Sequence, residues 1–419
     1  MKVVILTQHA SPHFAGGTEV AVEAQARALA ERGCDVRIVA GTDRPHAGDD
    51  GHDVEQHRVG DIPVAILPRH EDEFYDLLLK RERLRGLAGE LTAQADLVHV
   101  HHWSTLDREL VRTLAVDRPV VVTLHDLFVT CPRFFREPQH GVQACPPPAE
   151  FGACVDCVAP DVPTIPRPSI HEGFRQRHDH FRAELAAASA VVAPSRSHLE
   201  RVAHHVPIDA LTRVVAHGLA ASPGDVRGCA LDWDGQGVLR VGFLGNRARL
   251  KGAHDLVAAA ASLPAQMRAR LRIAFFGAAV EDGLDEALLE AAGDVVLEFH
   301  GAYELSCLAQ DVARAGGLHL VCQPSRAFES YGLVVDEALA LGLSVWVSDR
   351  GAPQERVGAA GRVLQAAAPD AWAAALGSVL EDPEALRAER DAVPARVRTA
   401  DDAAGELLAL YHQLLEARR

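Results

Sequence analysis

The sequence predicts an α/β protein made of two Rossmann-like, doubly wound domains, and three observations lead there. Val3-Val4-Ile5-Leu6 is a continuous apolar run of the kind found in strands buried on both faces. A glycine loop, a helical stretch and an alternating strand follow it, a βαβ unit that implies a parallel sheet. The same order then restarts at Val238, after a stretch from Leu219 to Gln236 with the Gly, Asp and Ala content of a linker. A chain of 419 residues is long enough for two domains of ordinary size, expected over residues 1–218 and 219–400.

Charge and apolar content narrow the function. With 42 basic against 58 acidic residues the net charge is −16, which argues against nucleic acid as a partner. It also makes membrane contact an unlikely role, the local basic stretch Lys80 to Arg85 being the one exception. No apolar run approaches the roughly 18 residues of a membrane span. Lys2 to Leu6 is strand-like and gives way at once to polar residues, unlike a secretory signal. A cytoplasmic location is therefore expected, and in a reducing compartment the eight cysteines read as thiols or metal ligands before disulfides.

In chain order, the first strand runs into a loop ending Gly16-Gly17-Thr18. Thr18 is the expected N-cap of a helix over Glu19 to Arg32, stopped by Gly33, and Val36, Ile38 and Ala40 form the next strand. A glycine pair here either lets the backbone approach a ligand or simply makes a tight turn. Residues 44–61 read as a connector and Phe74 to Gln94 as a long helix. Asp96 to His101 is a strand followed by His102 and Trp103. Pro119 to Leu124 is another, with His125-Asp126 at its carboxyl end, where doubly wound sheets bind ligands. His125 is thus placed to touch a substrate, or else is a hydrogen-bonded loop histidine. Cys131, Cys145, Cys154 and Cys157 fall within a Pro-rich loop from Cys131 to Pro168. A Cys-x-x-Cys pair with two further thiols suits a structural, tetrahedral zinc, the alternatives being a redox pair or unrelated thiols. A helix over Phe174 to Ala188, a strand over Ala190 to Ala193 and a helix capped by Ser195 complete the first half.

In the second half, Val238 to Phe243 is a strand, Leu244 to Gly252 a basic glycine loop, and His254 to Leu263 a helix. The chain has three lysines, Lys2, Lys80 and Lys251, and the last falls in this loop with Arg247 and Arg249. Cations at a strand end suit a diphosphate, or the loop is merely solvated. Strands follow at Leu271 to Gly277, Val295 to Phe299 and Leu318 to Gln323. The last leads into the most informative stretch, Phe328 to Gly342. Its residues Leu333, Val334, Val335, Ala338, Leu339 and Leu341 leave little polar face, so it reads as a buried helix. Glu329 then lies in the loop ahead of that helix and Glu337 within it. The free N–H groups of Tyr331, Gly332 and Leu333 point out of its amino terminus, where the helix dipole favours an anion. Two carboxylates flanking an anion site match a nucleoside diphosphate sugar: carboxylates accept from ribose and sugar hydroxyls, amides take the phosphates. Leu343 to Val347 is a further strand, with Gly351 to Glu355 at its end, and Asp370 to Glu381 and Ala400 to Arg419 are closing helices. Asp232-Trp233-Asp234 has the form of a metal-binding Asp-x-Asp. It precedes the strand at Val238 instead of following one, and it reads as loop.

Over nearly its whole length the chain resembles the family-4 retaining glycosyltransferases of the GT-B fold. The resemblance rests on Glu329 and Glu337 within Glu-x-Tyr-Gly-Leu-x-x-x-Glu-Ala. It rests also on Gly16-Gly17, His125-Asp126, Val191 to Ser195, His217-Gly218, Lys251-Gly252 and Gly351 to Glu355. It implies two Rossmann-like domains facing across a cleft, with residues 401–419 crossing back to the first. The donor would sit on the second domain and a small-molecule or saccharide acceptor on the first. Glu337 would bind the ribose, Glu329 the donor sugar and Lys251 the diphosphate. Gly16 and Gly17 would approach phosphate or sugar, and His125 would contact a sugar hydroxyl. The family usually has an arginine five positions before that lysine. Here the position is Asn246, which leaves Arg247 or Arg249 to supply the charge. The implied reaction is transfer to an acceptor hydroxyl or amine with retention, assisted by the leaving phosphate and requiring no cofactor. A nucleotide-sugar epimerase or a sugar phosphorylase of the same fold are the alternatives.

Overall fold

The computed structural model describes residues 1–14, 16–44, 54–69, 81–136, 145 and 151–418. The chain divides into two compact units, Met1–Ala220 with Thr399–Arg419, and Ala221–Arg398.

The sheet of the first unit holds β1 (Lys2–Thr7), β2 (Asp35–Ala40), β3 (Glu55–Val59), β4 (Ile62–Ile66), β5 (Leu97–Val100), β6 (Val120–Thr123), β7 (Ala190–Ala193) and β8 (Leu211–Val214). Their order is β3-β4-β2-β1-β5-β6-β7-β8, parallel except for the β3–β4 hairpin. The interior strands β5, β6 and β7 are buried throughout. That is why their apolar runs do not alternate, since both faces are covered. The edge strand β3, Glu-Gln-His-Arg-Val, is half exposed and polar, so residues 44–61 are only partly the connector their composition suggests. Of that stretch, residues 45–53 lie outside the described residues. The helix expected from Phe74 begins at Glu82 and ends at Thr92, residues 70–80 likewise lying outside. The first helix spans Gly17–Glu31 and its N-cap is Gly16, not Thr18. The Gly16 N–H donates to Glu19 Oε2 at 3.0 Å, so Glu19 satisfies a donor at the helix start. Of the Pro-rich loop, residues 137–144 and 146–150 lie outside the described residues, and the rest holds a short helix at Gly152–Val158 and the start of a long one at Arg167–Ala187.

The C-terminal helix Ala400–Ala417 packs into the core of the first unit. Leu407, Leu410 and Tyr411 are buried there with Val22, Ala26 and Leu29 of the first helix. Gly218 makes the return possible: its φ is +76°, and a Cβ would stand 2.4 Å from the Thr399 carbonyl. Thr399 then caps the helix, accepting from the Asp402 N–H.

The sheet of the second unit holds β9 (Leu239–Leu244), β10 (Leu271–Phe276), β11 (Val296–Phe299), β12 (Leu320–Gln323), β13 (Ser344–Ser348) and β14 (Gly361–Leu364). All are parallel, in the order β11-β10-β9-β12-β13-β14. Apolar clusters cover this sheet, one built on Leu256, Trp346 and Trp372, another on Leu308, Val335 and Leu343. This is the doubly wound arrangement that the βα restart at Val238 predicts.

One buried polar contact has a measurable consequence. His99 on β5 lies between Tyr411 Oη at 2.6 Å and Thr123 Oγ1 at 2.7 Å. Burial, and secondarily His217, lowers its pKa to about 3. Between roughly pH 6.5 and 3 the unfolded chain binds a proton that the folded one refuses, so stability falls as pH falls through this window. His99→Gln removes that proton. Its unfolding free energy should depend on pH less steeply there, by up to about 1.4 kcal/mol per pH unit. Denaturant melts at several pH values check this, and parallel curves for the two proteins would contradict it.

Candidate active site

In the second sheet the strand order reverses between β9 and β12, which lie side by side while their following crossovers leave in opposite directions. Doubly wound sheets bind ligands at this switch point, outside the carboxyl ends of the two strands. The loop after β9 carries Lys251 and the loop after β12 carries Glu329. Gly252 brings them together. Its φ is +78°, and an added Cβ would lie 1.9 Å from the Pro324 carbonyl oxygen, so only glycine lets the loops touch. The Leu250 carbonyl accepts from the N–H groups of Arg326 at 2.8 Å and Ala327 at 3.2 Å. The Arg326 guanidinium grips buried Asp255 with two bonds, of 2.7 and 2.5 Å. Lys251 Nζ consequently meets Glu329 Oε1 at 2.6 Å, and Ser325 Oγ donates to the same oxygen at 2.8 Å. The backbone of Glu329 is fixed from a third loop. Its carbonyl accepts from Ala352 N at 2.9 Å, and a Cβ on Gly351 would stand 2.1 Å from that carbonyl.

The helix Leu333–Ala340 starts directly beyond, with Gly332 as its N-cap at φ +77°. Tyr331 is buried beneath this start. Its hydroxyl donates to Asp336 Oδ2 at 2.7 Å, and Arg356 stacks 3.7 Å from its ring centroid while donating to the Tyr331 and Gly332 carbonyls. Tyr331 therefore supports the helix terminus with its side chain, and its backbone is what a ligand would meet. Glu337 is buried on the helix and accepts from Tyr303 Oη at 2.5 Å. Burial pushes its carboxyl up to about 7, against the pull of the Tyr303 bond. The same burial, with Glu337 beside it, raises the Tyr303 hydroxyl.

Two basic residues of the β9 loop are not where the sequence suggested. Arg247 is buried, bound to Asp285 at 2.8 and 2.7 Å and laid over the Phe299 ring. Its charge is consumed inside the fold, so it is not free to meet a diphosphate. Arg249 is exposed and turned to Glu281, 3.2 Å away. Asn246 accepts from the Ala278 N–H at 3.2 Å and thereby ties the loop to the one after β10. Lys251 is the cation of this loop that faces Glu329. Asp232 pairs with Arg390, Asp234 accepts from the Gln236 N–H at 2.8 Å, and Trp233 between them is buried in the core. The carboxylates of the Asp-x-Asp are thus both engaged within the second unit.

In the first sheet the reversal falls between β1 and β5. The loop after β1 ends at Gly16 and Gly17. A Cβ on Gly16 would press on Phe14 and Glu19, each 2.9 Å away, whereas one on Gly17 would have nothing within 4 Å. Both contacts at Gly16 are with the ends of side chains, which can swing aside, and the space above Gly17 is open. His125, after β6, is buried, 2.7 Å from His101 Nδ1 through its Nε2 and stacked on His217 with centroids 4.9 Å apart. Burial, with the neighbouring histidines, holds both His101 and His125 well below the ordinary histidine pKa, so these rings are neutral at pH 7. One ring donates and the other accepts. Beside them His102 Nε2 lies 3.4 Å from Asp126 Oδ2.

Cys131, Cys145, Cys154 and Cys157 line one cavity of this unit. Among the described residues, the group whose ligand atoms all lie within 4.8 Å of one another is a different one, His13, Glu55 and His57. Both imidazoles reach Glu55 Oε2, at 3.0 and 3.1 Å. Neither this group nor Ser325, Tyr303 and His101 stood out in the sequence. The spacing of His99 on β5 and His101 just beyond its end was the one available signal, since two positions apart on an extended chain puts both rings on one face.

Comparison with known proteins follows this division. The family described as Glycosyltransferase Family 4 matches residues 15–222, and Glycosyl transferases group 1 matches residues 236–393. D-inositol 3-phosphate glycosyltransferase of Corynebacterium urealyticum is 26% identical, over 99% of this chain and 96% of its own length. Sucrose-phosphate synthase of Thermosynechococcus elongatus superposes with a TM-score of 0.70 at 20% identity, covering 99% of each chain. HepE of Anabaena, in complex with UDP-glucose, gives 0.59 at 17% identity, covering 100% of this chain and 99% of its own. The two units are those of a glycosyltransferase with the GT-B fold. The chain belongs to family 4 of these enzymes.

The two glycines make opposite predictions. Gly252→Ala should lower the melting temperature and abolish transfer, because its methyl group overlaps Pro324. Gly17→Ala fills open space at a helix start, where alanine is worth up to about 1 kcal/mol over glycine. It should leave melting unchanged or slightly raised while slowing transfer severalfold. Melting curves and initial rates on the same preparations check this. A Gly17→Ala protein that melts early, or works at full speed, would contradict it.

Proposed function

We propose that this glycosyltransferase uses a nucleoside diphosphate sugar bound to the second unit. It would pass the sugar to a hydroxyl or amine of a small-molecule or saccharide acceptor, with retention and without a divalent metal. The observation that carries this reading is the Lys251–Glu329 pair at the β9/β12 switch point, beside the amino terminus of the helix Leu333–Ala340. Breaking a sugar–phosphate bond develops negative charge on the departing diphosphate and positive charge on the sugar ring. A lysine and helix amides answer the first, a carboxylate the second. The pair is partly exposed and contributes little to stability, which favours a role in the chemistry.

Each residue then has a task. Lys251 and the N–H groups at Gly332 and Leu333 hold the diphosphate. Glu329, kept in place by Ser325 and by the Ala352 N–H, orients the sugar and stabilises its developing charge. Glu337 accepts from the ribose diol. Asn246 shapes the loop, and Arg247 braces it from inside. A bound cation is not needed for the leaving group, and the Asp-x-Asp has its carboxylates engaged elsewhere. The first unit serves the acceptor, with the Gly17 backbone and the neutral His125 at the carboxyl edge of its sheet. The relatives support the donor and acceptor classes: HepE was crystallised with UDP-glucose, and the Corynebacterium protein is named for D-inositol 3-phosphate.

A panel of nucleotide sugars, each with and without acceptors, should release nucleoside diphosphate only when an acceptor is present. Glu329→Gln should lower turnover at least about tenfold with a smaller change in donor affinity. Lys251→Ala should weaken nucleoside diphosphate binding by about tenfold or more, the worth of a bond to a charged group. A brief exposure to EDTA should leave transfer intact. Isomerised donor without transfer, near-normal turnover in Glu329→Gln, or EDTA inhibition reversed by Mg²⁺ or Mn²⁺ would each overturn the reading.

A further inference from the structure

We infer that Cys131, Cys145, Cys154 and Cys157 bind one structural Zn²⁺ that fastens the segment after β6 to the first unit. Four sulfurs from three separate stretches line a single cavity, with Arg133 and Arg136 beside them. Cys154 and Cys157 come from the helix Gly152–Val158, one turn apart on one face. Cys131 comes from the turn after β6, held by its own N–H to the Leu127 carbonyl at 3.0 Å and by Arg177, which donates to the Cys131 carbonyl at 3.2 Å. Cys145 is positioned by Arg201, which donates to its carbonyl.

Apolar packing does not account for this order. The helix Gly152–Val158 is seven residues long, has no side-chain cap, and is too short to persist alone. It contributes Cys154 and Val155 to a cluster whose other fully buried members are Ile170 and Phe174. With Phe151, Val158, Ala159 and Val162 only partly buried against it, that is little apolar surface to offset the entropy of ordering the described residues between 131 and 166. A tetrathiolate zinc site contributes folding free energy directly.

The donors around the sulfurs fit anionic sulfur. The Arg133 N–H is directed at Cys131 Sγ at 3.4 Å, and Arg136 Nη2 at Cys145 Sγ at 3.2 Å. A neutral thiol is a weak acceptor, whereas a zinc-bound thiolate is stabilised by such outer-shell donors. Each thiol gives its proton to solvent on binding, and Zn²⁺ with four thiolates carries −2, next to two arginines. No three of these sulfurs yet lie within 4.8 Å of one another. With Zn–S bonds of about 2.3 Å, binding draws them to about 3.8 Å from one another. His13, Glu55 and His57 are already satisfied by their mutual hydrogen bonds. Four protein thiolates leave no open position, which makes the zinc structural and not catalytic.

Elemental analysis of the full chain, purified without chelator, should find about one zinc per chain. Titrating it with a mercurial should release zinc as four thiolates are converted to mercaptides. The Cys154→Ser, Cys157→Ser double variant should lose the metal and be cut faster by protease between residues 131 and 166. Cys307→Ser, an exposed cysteine of the other unit, should keep it. The measurements on wild-type protein stand even if the double variant fails to fold. Metal-free protein, iron in place of zinc, a disulfide among these cysteines by mass spectrometry, or zinc retained in the double variant would each overturn the inference.

Discussion

The polar arrangement at the switch point of the second unit depends on a single close approach, the backbone of Gly252 against the carbonyl of Pro324. It puts the loop after β9 onto the loop after β12, so that one carbonyl, of Leu250, accepts from two successive amides. Everything polar at the switch point follows from that contact. Lys251 reaches Glu329 because its loop cannot stand further away, and Ser325 can serve the same carboxylate because its strand ends there. Gly351 repeats the device from the next strand, closing on the Glu329 carbonyl. Charges are thus placed by steric permission of the backbone, and the ion pair itself adds little to stability.

Much of this was legible in the sequence, for reasons that differ by residue. Most buried strands announced themselves through unbroken apolar runs, β4 being the exception, and Glu329, Lys251 and the glycines near them stood out through their place beside a helix start and in a basic glycine loop. Of the edge strands β11 was legible, whereas β3 is polar and β14, Gly-Arg-Val-Leu, is short and half exposed, so neither of these carries a clear pattern. Arg247 shows the limit more sharply. In the sequence it is one of three cations in a loop. In the fold it is spent on Asp285, 38 positions away, a partner that spacing cannot reveal. Tyr303 is the converse case, an unremarkable loop residue until the fold brings its hydroxyl to Glu337.

The first unit resolves its polar interior differently. A line of rings runs from Tyr411 through His99 and His101 to His125 and His217, and burial keeps His99, His101 and His125 neutral. The C-terminal helix supplies the Tyr411 end of that line. Among the described residues no helix is long and apolar enough to cross a membrane.

The central claim is that the switch point of the second unit receives a nucleoside diphosphate. Amide hydrogen exchange of the full chain, with and without a saturating nucleoside diphosphate, tests it most directly. Slower exchange at residues 246–252 together with residues 329–335 is the result expected. A bound nucleotide that protects neither segment would contradict the account.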